Sequence, residues 1–292
     1  MHYKESLGTR IYVALAYIIV ALFSIACIYP MLHVLATSLS SKTAVSGGLV
    51  SIFPVDFTLD AYDFVMKGGK FYAAFLISVK RTVLGIAVGL ILIVLTGYPL
   101  SKTKRKFSAR NFYMWFLIIT MLFSGGMIPS YIVVYKLGLI DTIWSLVLPG
   151  AVGAYNMILF QNYVKSLPDE LSEAAYIDGA GELMVLRKII IPLSKPILAT
   201  LTLFIAVAHW NSWFDGMIYM NRPKNYPLQT YLQTIVIQID FENITSISDV
   251  TSISTQNSKA AQIILAMLPI LVVYPFLQKY FTKGIIMGSV KG

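Results

Sequence analysis

Long charge-free runs constrain this chain more than any other feature. Residues 11–34, 111–135, 142–164 and 260–278 carry no Asp, Glu, Lys or Arg. Residues 197–214 are interrupted only by His209, and 82–101 form a sixth run just after Lys80 and Arg81. A bilayer core about 30 Å thick is crossed by roughly 20 apolar helical residues, so each run is long enough to span it. The chain is 57% apolar and 13% charged, against about 25% charged for a soluble domain. Its mean hydropathy is +0.71. Strands cannot cross lipid with unpaired backbone groups, and the runs lack the two-residue alternation of a barrel. An all-α integral membrane protein with six transmembrane helices is therefore expected, as one transmembrane domain over 1–292. The expected spans are about 11–34, 76–100, 111–135, 142–164, 197–217 and 260–282.

The first run is too long for a secretory signal core of about 7–15 residues, and no small-x-small cleavage site stands out after it. It reads as a retained first helix. The single cysteine, Cys27, lies inside it. One thiol builds neither a disulfide framework nor a thiolate metal cluster, and Cys27 reads as an inert packing residue.

With six spans the loops fall into two sets of different charge. One set holds Lys4 and Arg10, the loop "SKTKRKFSAR" at 101–110 with five basic residues and no acid, the segment 165–196, and the tail from 279. The other holds 35–70, 136–141 and 215–259, where the charges roughly balance. Short basic loops stay in the cytoplasm, which places both termini there in a multi-pass protein. The net charge of +9 is mostly this bias. No aromatic-interleaved basic patch points to nucleic acid.

Enzymatic signatures are missing. "KGGK" at 67–70 lacks the first glycine and the final hydroxyl of a phosphate loop, and no His-Glu-x-x-His pair or G-x-S-x-G elbow occurs. The three histidines, His2, His33 and His209, are scattered. Neither ATP hydrolysis nor covalent chemistry is expected of this chain.

"EAAYIDGAGELMVLRKIIIPLSKP" at 173–196 interrupts the apolar pattern. Ser166 and Asp169 have capping-box spacing, and Pro168 suits a first helical turn. Acidic positions alternate with Leu171, Ala174, Ala175 and Ile177. Gly179 and Gly181 allow a turn, "ELMVLRKIII" restarts a helix, and Pro192 and Pro196 end it. Spacing alone leaves two readings open. One is a hairpin lying on lipid headgroups; the other is a helix presented to a protein partner. Surface-lying helices favour Lys and Arg, so the acidic face fits the partner better.

These residues resemble the EAA loop of the membrane subunits of binding-protein-dependent ABC importers: Glu173-Ala174-Ala175, then Gly179, then Ile191-Pro192. "LFSGGMIPSYIVVYKLGLIDTIWSLVLPGAVGAYN" at 122–156 resembles the carbohydrate permeases of the polysaccharide and aldouronate branch, and "LQKYFTKGIIMGSVKG" resembles the end of the maltose-type second permease. The resemblance implies a type I importer permease fold and a role in ATP-driven uptake of oligosaccharides, acidic or complex ones included, across a bacterial or archaeal cytoplasmic membrane. It implies that Glu173, Ala174, Ala175, Asp178, Gly179 and Pro192 belong to a coupling helix docked in a separate ATPase dimer, which binds the ATP and magnesium, so that this chain holds no cofactor. The tail residues Gly288, Ser289, Val290, Lys291 and Gly292 would reach toward that ATPase. The further partners implied are a second permease, an extracytoplasmic solute-binding protein meeting loop 221–261, the oligosaccharide and the bilayer.

Polar residues inside a membrane carry a functional hypothesis by default. His209, Trp210, Asn211, Trp213 and Asp215 are candidates for the substrate pathway, with Asn211 and Asp215 expected to share a helix face. Trp at an outer boundary also serves as an interface anchor. Lys80 and Arg81 have two readings, facing an anionic saccharide or marking the outer interface at the start of the second span, and the second is favoured. Gly85 and Gly89 read as helix packing. Two other classes remain open to the residues alone. An ion-coupled secondary transporter would leave the EAA loop unexplained, and a membrane scaffold would have no transport path.

Overall fold

The computed structural model describes residues 7–242 and 254–289, with side chains placed over 8–235 and 256–275. Every extended regular element among them is helical; the one β-bridge joins Ser40 and Phe57. Two units divide the chain, one of residues 1–71 with 234–267 and one of 72–233 with 268–292.

In the first unit, α1 (Leu7–Ser38) is a single long helix, and the helical stretch Gly8–Ser38 has none of its apolar window buried. Its faces are left for lipid or another chain. Cys27 is exposed on it, so Cys27 is not packed within this chain, contrary to expectation. The C-terminal end of α1 is tied down by hydroxyls: Ser40 Oγ donates to Ala36 O at 2.6 Å and accepts from Val55 N at 3.0 Å, and Ser38 Oγ meets Tyr62 Oη at 2.7 Å. Two short helices follow, α2 (Lys42–Ser46) and α3 (Asp60–Lys67).

In the second unit the apolar runs are less continuous than the sequence implies. Helix α4 (Lys70–Ser101) is unbroken. The run 111–135 forms α5 (Arg110–Leu122) and α6 (Met127–Lys136), between which the chain bends by 116°. Phe123-Ser124-Gly125-Gly126 separates them, and Gly126 has φ +87°, a backbone angle open mainly to glycine. The run 142–164 is also divided, into α7 (Trp144–Val147) and α8 (Ala154–Lys165), with Pro149-Gly150 between them. Then come α9 (Asp169–Ile177), α10 (Glu182–Leu193), α11 (Lys195–Asn211), α12 (Phe214–Tyr219) and α13 (Leu228–Glu242). The last, α14 (Ser254–Ser289), belongs partly to each unit.

Among the described residues, three helices are long and apolar enough to cross a membrane, or up to five if the bent pairs α5–α6 and α10–α11 each count as one span. The segment 221–261, expected as a loop, contains all of α13 and the start of α14. Residues 243–253 lie outside the described residues.

A core of Ile93, Tyr98, Phe160, Val185, Ile190 and Leu201 holds α4, α8, α10 and α11 together. Close approach is made possible by glycines on α4. A Cβ on Gly85 would collide with the His209 ring, one on Gly89 would press on Ile205, and one on Gly97 would meet Phe160. The packing role expected of Gly85 and Gly89 is what they have.

Candidate functional site

The interrupting segment folds as a helical hairpin. Helix α9 is nine residues long with Asp169 and Glu170 in its first turn, where carboxylates favour the positive end of the helix dipole. Its cap is Pro168, without a side-chain hydrogen bond. Ser166 instead donates to Tyr163 O at 2.7 Å and closes α8, so the expected capping box does not form. The chain reverses at Gly179, φ +82°, while Ala180 N donates back to Ala175 O at 2.9 Å. Gly181 has φ −79°, an angle any residue adopts, so of the two glycines only Gly179 is required by the turn.

Helix α10 changes pitch before its proline. Pro192 has no N–H to return to the carbonyl four residues back, and Leu186–Ile190 widen into a π-turn in which Ile191 N bonds to Leu186 O. The chain then bends by 78° at Ser194 into α11, which has Pro196 in its first turn.

One side of α9 faces inward and the other is bare. Ala175, Tyr176 and Ala180 pack against the core, while Glu173, Ala174 and Asp178 are exposed and Ile177 is 87% exposed. The inner side is bolted to the end of α4 by polar contacts. Tyr98 Oη donates to Glu182 Oε2 at 2.5 Å; Lys102 Nζ donates to Tyr176 Oη at 2.9 Å and lies 3.3 Å from Glu182 Oε2. Lys102 also sits 4.3 Å above the Tyr98 ring centre. Partial burial works to raise the Glu182 pKa, but hydrogen bonds from Tyr98 and Tyr176 and the charge of Lys102 hold it below the ordinary carboxylate range. These contacts tie the hairpin to the end of α4.

The second constellation surrounds the break after α11. Helix α11 stops at Asn211, and Ser212 and Trp213 leave helical geometry before α12 begins. Asn211 and Asp215 therefore lie on different helices and share no face, which corrects the expectation. Asn211 is exposed and Trp213 is 39% exposed, whereas Trp210 is buried, edge-on to Phe75 at 5.7 Å between ring centres.

Arg81, favoured from sequence as a boundary marker, is 2% exposed and is the largest fully buried side chain among the described residues. It forms a two-pronged ion pair with Asp215, donates to Ser212 O at 3.1 Å, and directs Nε at His209 Nδ1 at 3.4 Å. Asp215 also accepts from Ser212 Oγ at 2.8 Å and Gly216 N at 2.9 Å. Thr230 Oγ1 on α13 donates to Trp213 O in the break at 2.8 Å, and Leu228 N ties the start of α13 to α4 by donating to Ser78 Oγ at 2.7 Å.

Of the tail, Gly288 and Ser289 end α14, and Val290, Lys291 and Gly292 lie outside the described residues.

The model of the binding-protein-dependent transport system inner membrane component matches residues 85–287. The chain is 40% identical over 288 residues to the polygalacturonan/rhamnogalacturonan transport system permease protein YtcP of Bacillus subtilis (strain 168), covering 97% of this chain and 99% of the relative. It is 43% identical over 267 residues to protein LplC of the same organism, covering 91% and 90%. A solved bacterial ABC transporter involved in the import of the acidic polysaccharide alginate contains a chain that superposes with TM-score 0.87 at 32% identity, over 96% of this chain and 99% of that one. The fold is that of a type I importer permease, and the chain belongs to the family of binding-protein-dependent transport system inner membrane components.

Proposed function

We propose that this chain is one of two permease subunits of an ATP-driven importer for oligosaccharides derived from acidic polysaccharides. In this reading the permease forms half of the translocation path, a separate ATPase dimer drives it, and an extracytoplasmic binding protein delivers the sugar. The observation that carries the coupling role is the bare outer side of α9, with Glu173, Ala174 and Asp178 exposed on a helix whose inner side is fixed to α4. Small side chains allow close docking, and a carboxylate sets register against a basic partner residue. Closure of the ATPase would pull this helix, and the joint at Tyr98, Lys102, Tyr176 and Glu182 would pass the motion to α4. Substrate class is supported by the names of the relatives, which transport polygalacturonan/rhamnogalacturonan and alginate.

Among the pathway candidates, Asn211 and Trp213 are the exposed pair suited to meet a sugar; Trp210 and Asp215 hold the break. The test is Glu173→Lys in the assembled importer. Stimulation of ATPase activity by loaded binding protein should be lost while the permease still inserts and pairs. Unchanged stimulation would remove Glu173 from the coupling contact. Uptake into liposomes by this chain alone, without ATP, would replace the whole reading with a secondary transporter.

A further inference from the structure

Beside the hairpin, a cavity of about 720 Å³ opens where the loop after α4, the start of α5, the end of α8 and the start of α9 converge. Arg105, Lys106, Arg110 and Lys165 reach it from three separate segments, with Lys102 at its edge. Two carboxylates, Asp169 and Glu173, also line it. Among the described residues, neither forms an ion pair with these cations. Lys102 is already committed to Glu182 and Tyr176, and Lys106 lies 5.3 Å over the Tyr176 ring. Arg110 spends only Nε, on Leu100 O at 2.9 Å. Burial and, after it, the nearby charge of Arg110 push the Lys165 pKa down. Helix α5, 13 residues long, begins at Arg110 with no side chain capping it, so its positive dipole end adds to the same field.

Position and shape decide which anion fits. Ser101 ends an apolar 32-residue helix and Arg110 begins another apolar helix, so the cavity lies where the chain passes between hydrocarbon and water. Val164, Leu167 and Ile190 form an apolar wall beside the cations, which an acyl chain would use and an inorganic ion would not. Basic pockets at this depth bind anionic headgroups. We propose that the cavity is a binding site for the phosphate-bearing headgroup of an anionic phospholipid. Bound there, the headgroup lies against the first turn of α9, and the lipid of the surrounding leaflet becomes part of the support of the hairpin.

The test is native mass spectrometry of the complete importer in neutral detergent, titrated with phosphatidylglycerol and, separately, with phosphatidylcholine and inorganic phosphate. The wild type should retain phosphatidylglycerol selectively. The Arg105→Gln/Lys165→Gln variant should bind it about tenfold more weakly, each lost cation near the surface contributing a severalfold factor. Lys104→Gln is the control, because Lys104 belongs to the same basic loop but does not line the cavity; it should bind as the wild type does. Equal binding by the double variant, or an equal loss with Lys104→Gln, would overturn the site in favour of diffuse attraction. Inorganic phosphate binding at the same residues, with no preference for the lipid, would make the ligand a free anion. Lipid bound only after the ATPase is stripped away would assign the cavity to that partner and overturn the proposal.

Discussion

Arg81 and Asp215, 134 positions apart, form an ion pair in which the guanidinium is 2% exposed and the carboxylate 24%. Removing one member of a buried pair leaves the other uncompensated, at a cost of about 3 kcal/mol or more. Arg81→Gln should lower the thermal unfolding midpoint of the purified subunit by several degrees. The double variant Arg81→Gln/Asp215→Asn should recover part of that loss, because no buried charge is left alone. Equal losses in the single and double variants would show that the pair is not coupled.

Gly85 is where α4 admits the His209 ring, and a methyl group there has no room. Gly85→Ala should cost about 1–3 kcal/mol, the usual range for overpacking, read as reduced thermal stability. His209→Ala in the same background should relieve most of the clash. Gly150, by contrast, has nothing within 4 Å of the added atom, and Gly150→Ala should be silent in the same assay.

The two glycines of the hairpin turn should behave differently. Gly179 has φ +82° and Gly181 has φ −79°. Gly179→Ala forces a side chain into the left-handed region at about 1–2 kcal/mol and should reduce binding-protein-stimulated ATPase activity in the assembled importer. Gly181→Ala, with open space around it, should retain wild-type stimulation.

The depressed pKa of Glu182 makes the α4–hairpin joint pH-dependent. Its folded-state value lies below the unfolded value, about 4.3 for Glu. The stabilisation it contributes is therefore fully present above that pH and is lost as pH falls through the folded-state value. Wild type should melt above Glu182→Gln at pH 6–8, with the gap closing below about pH 4. A gap independent of pH would mean that the Glu182 charge plays no part in the joint.

Much of the helical hairpin was legible from residues close together in sequence. The start of a helix at the acidic cluster after Pro168, reversal at Gly179, a restart at Glu182 and redirection near Pro192 and Pro196 all follow from local backbone chemistry. The capping box failed because Ser166 was taken by the end of the preceding helix. Breaks at Gly125-Gly126 and Pro149-Gly150 were written in the sequence too, but a count of apolar residues alone hides them. Hydropathy measures transfer into lipid and is blind to where the helical backbone stops.

What the sequence determined by itself was the solvent of the chain and the place where it leaves that solvent: apolar runs favour lipid, and an acidic, small-residue segment does not. Only the tertiary structure decided what the polar residues within those runs do. Arg81 became a buried partner of Asp215 rather than a boundary marker, Tyr98 met Glu182 across 84 positions, and Asn211 parted from Asp215 at a helix break. The physical reason is reach. Helix periodicity relates residues three or four apart, whereas a buried charge is satisfied by whichever donor or acceptor packing brings within about 3 Å, however distant it is along the chain.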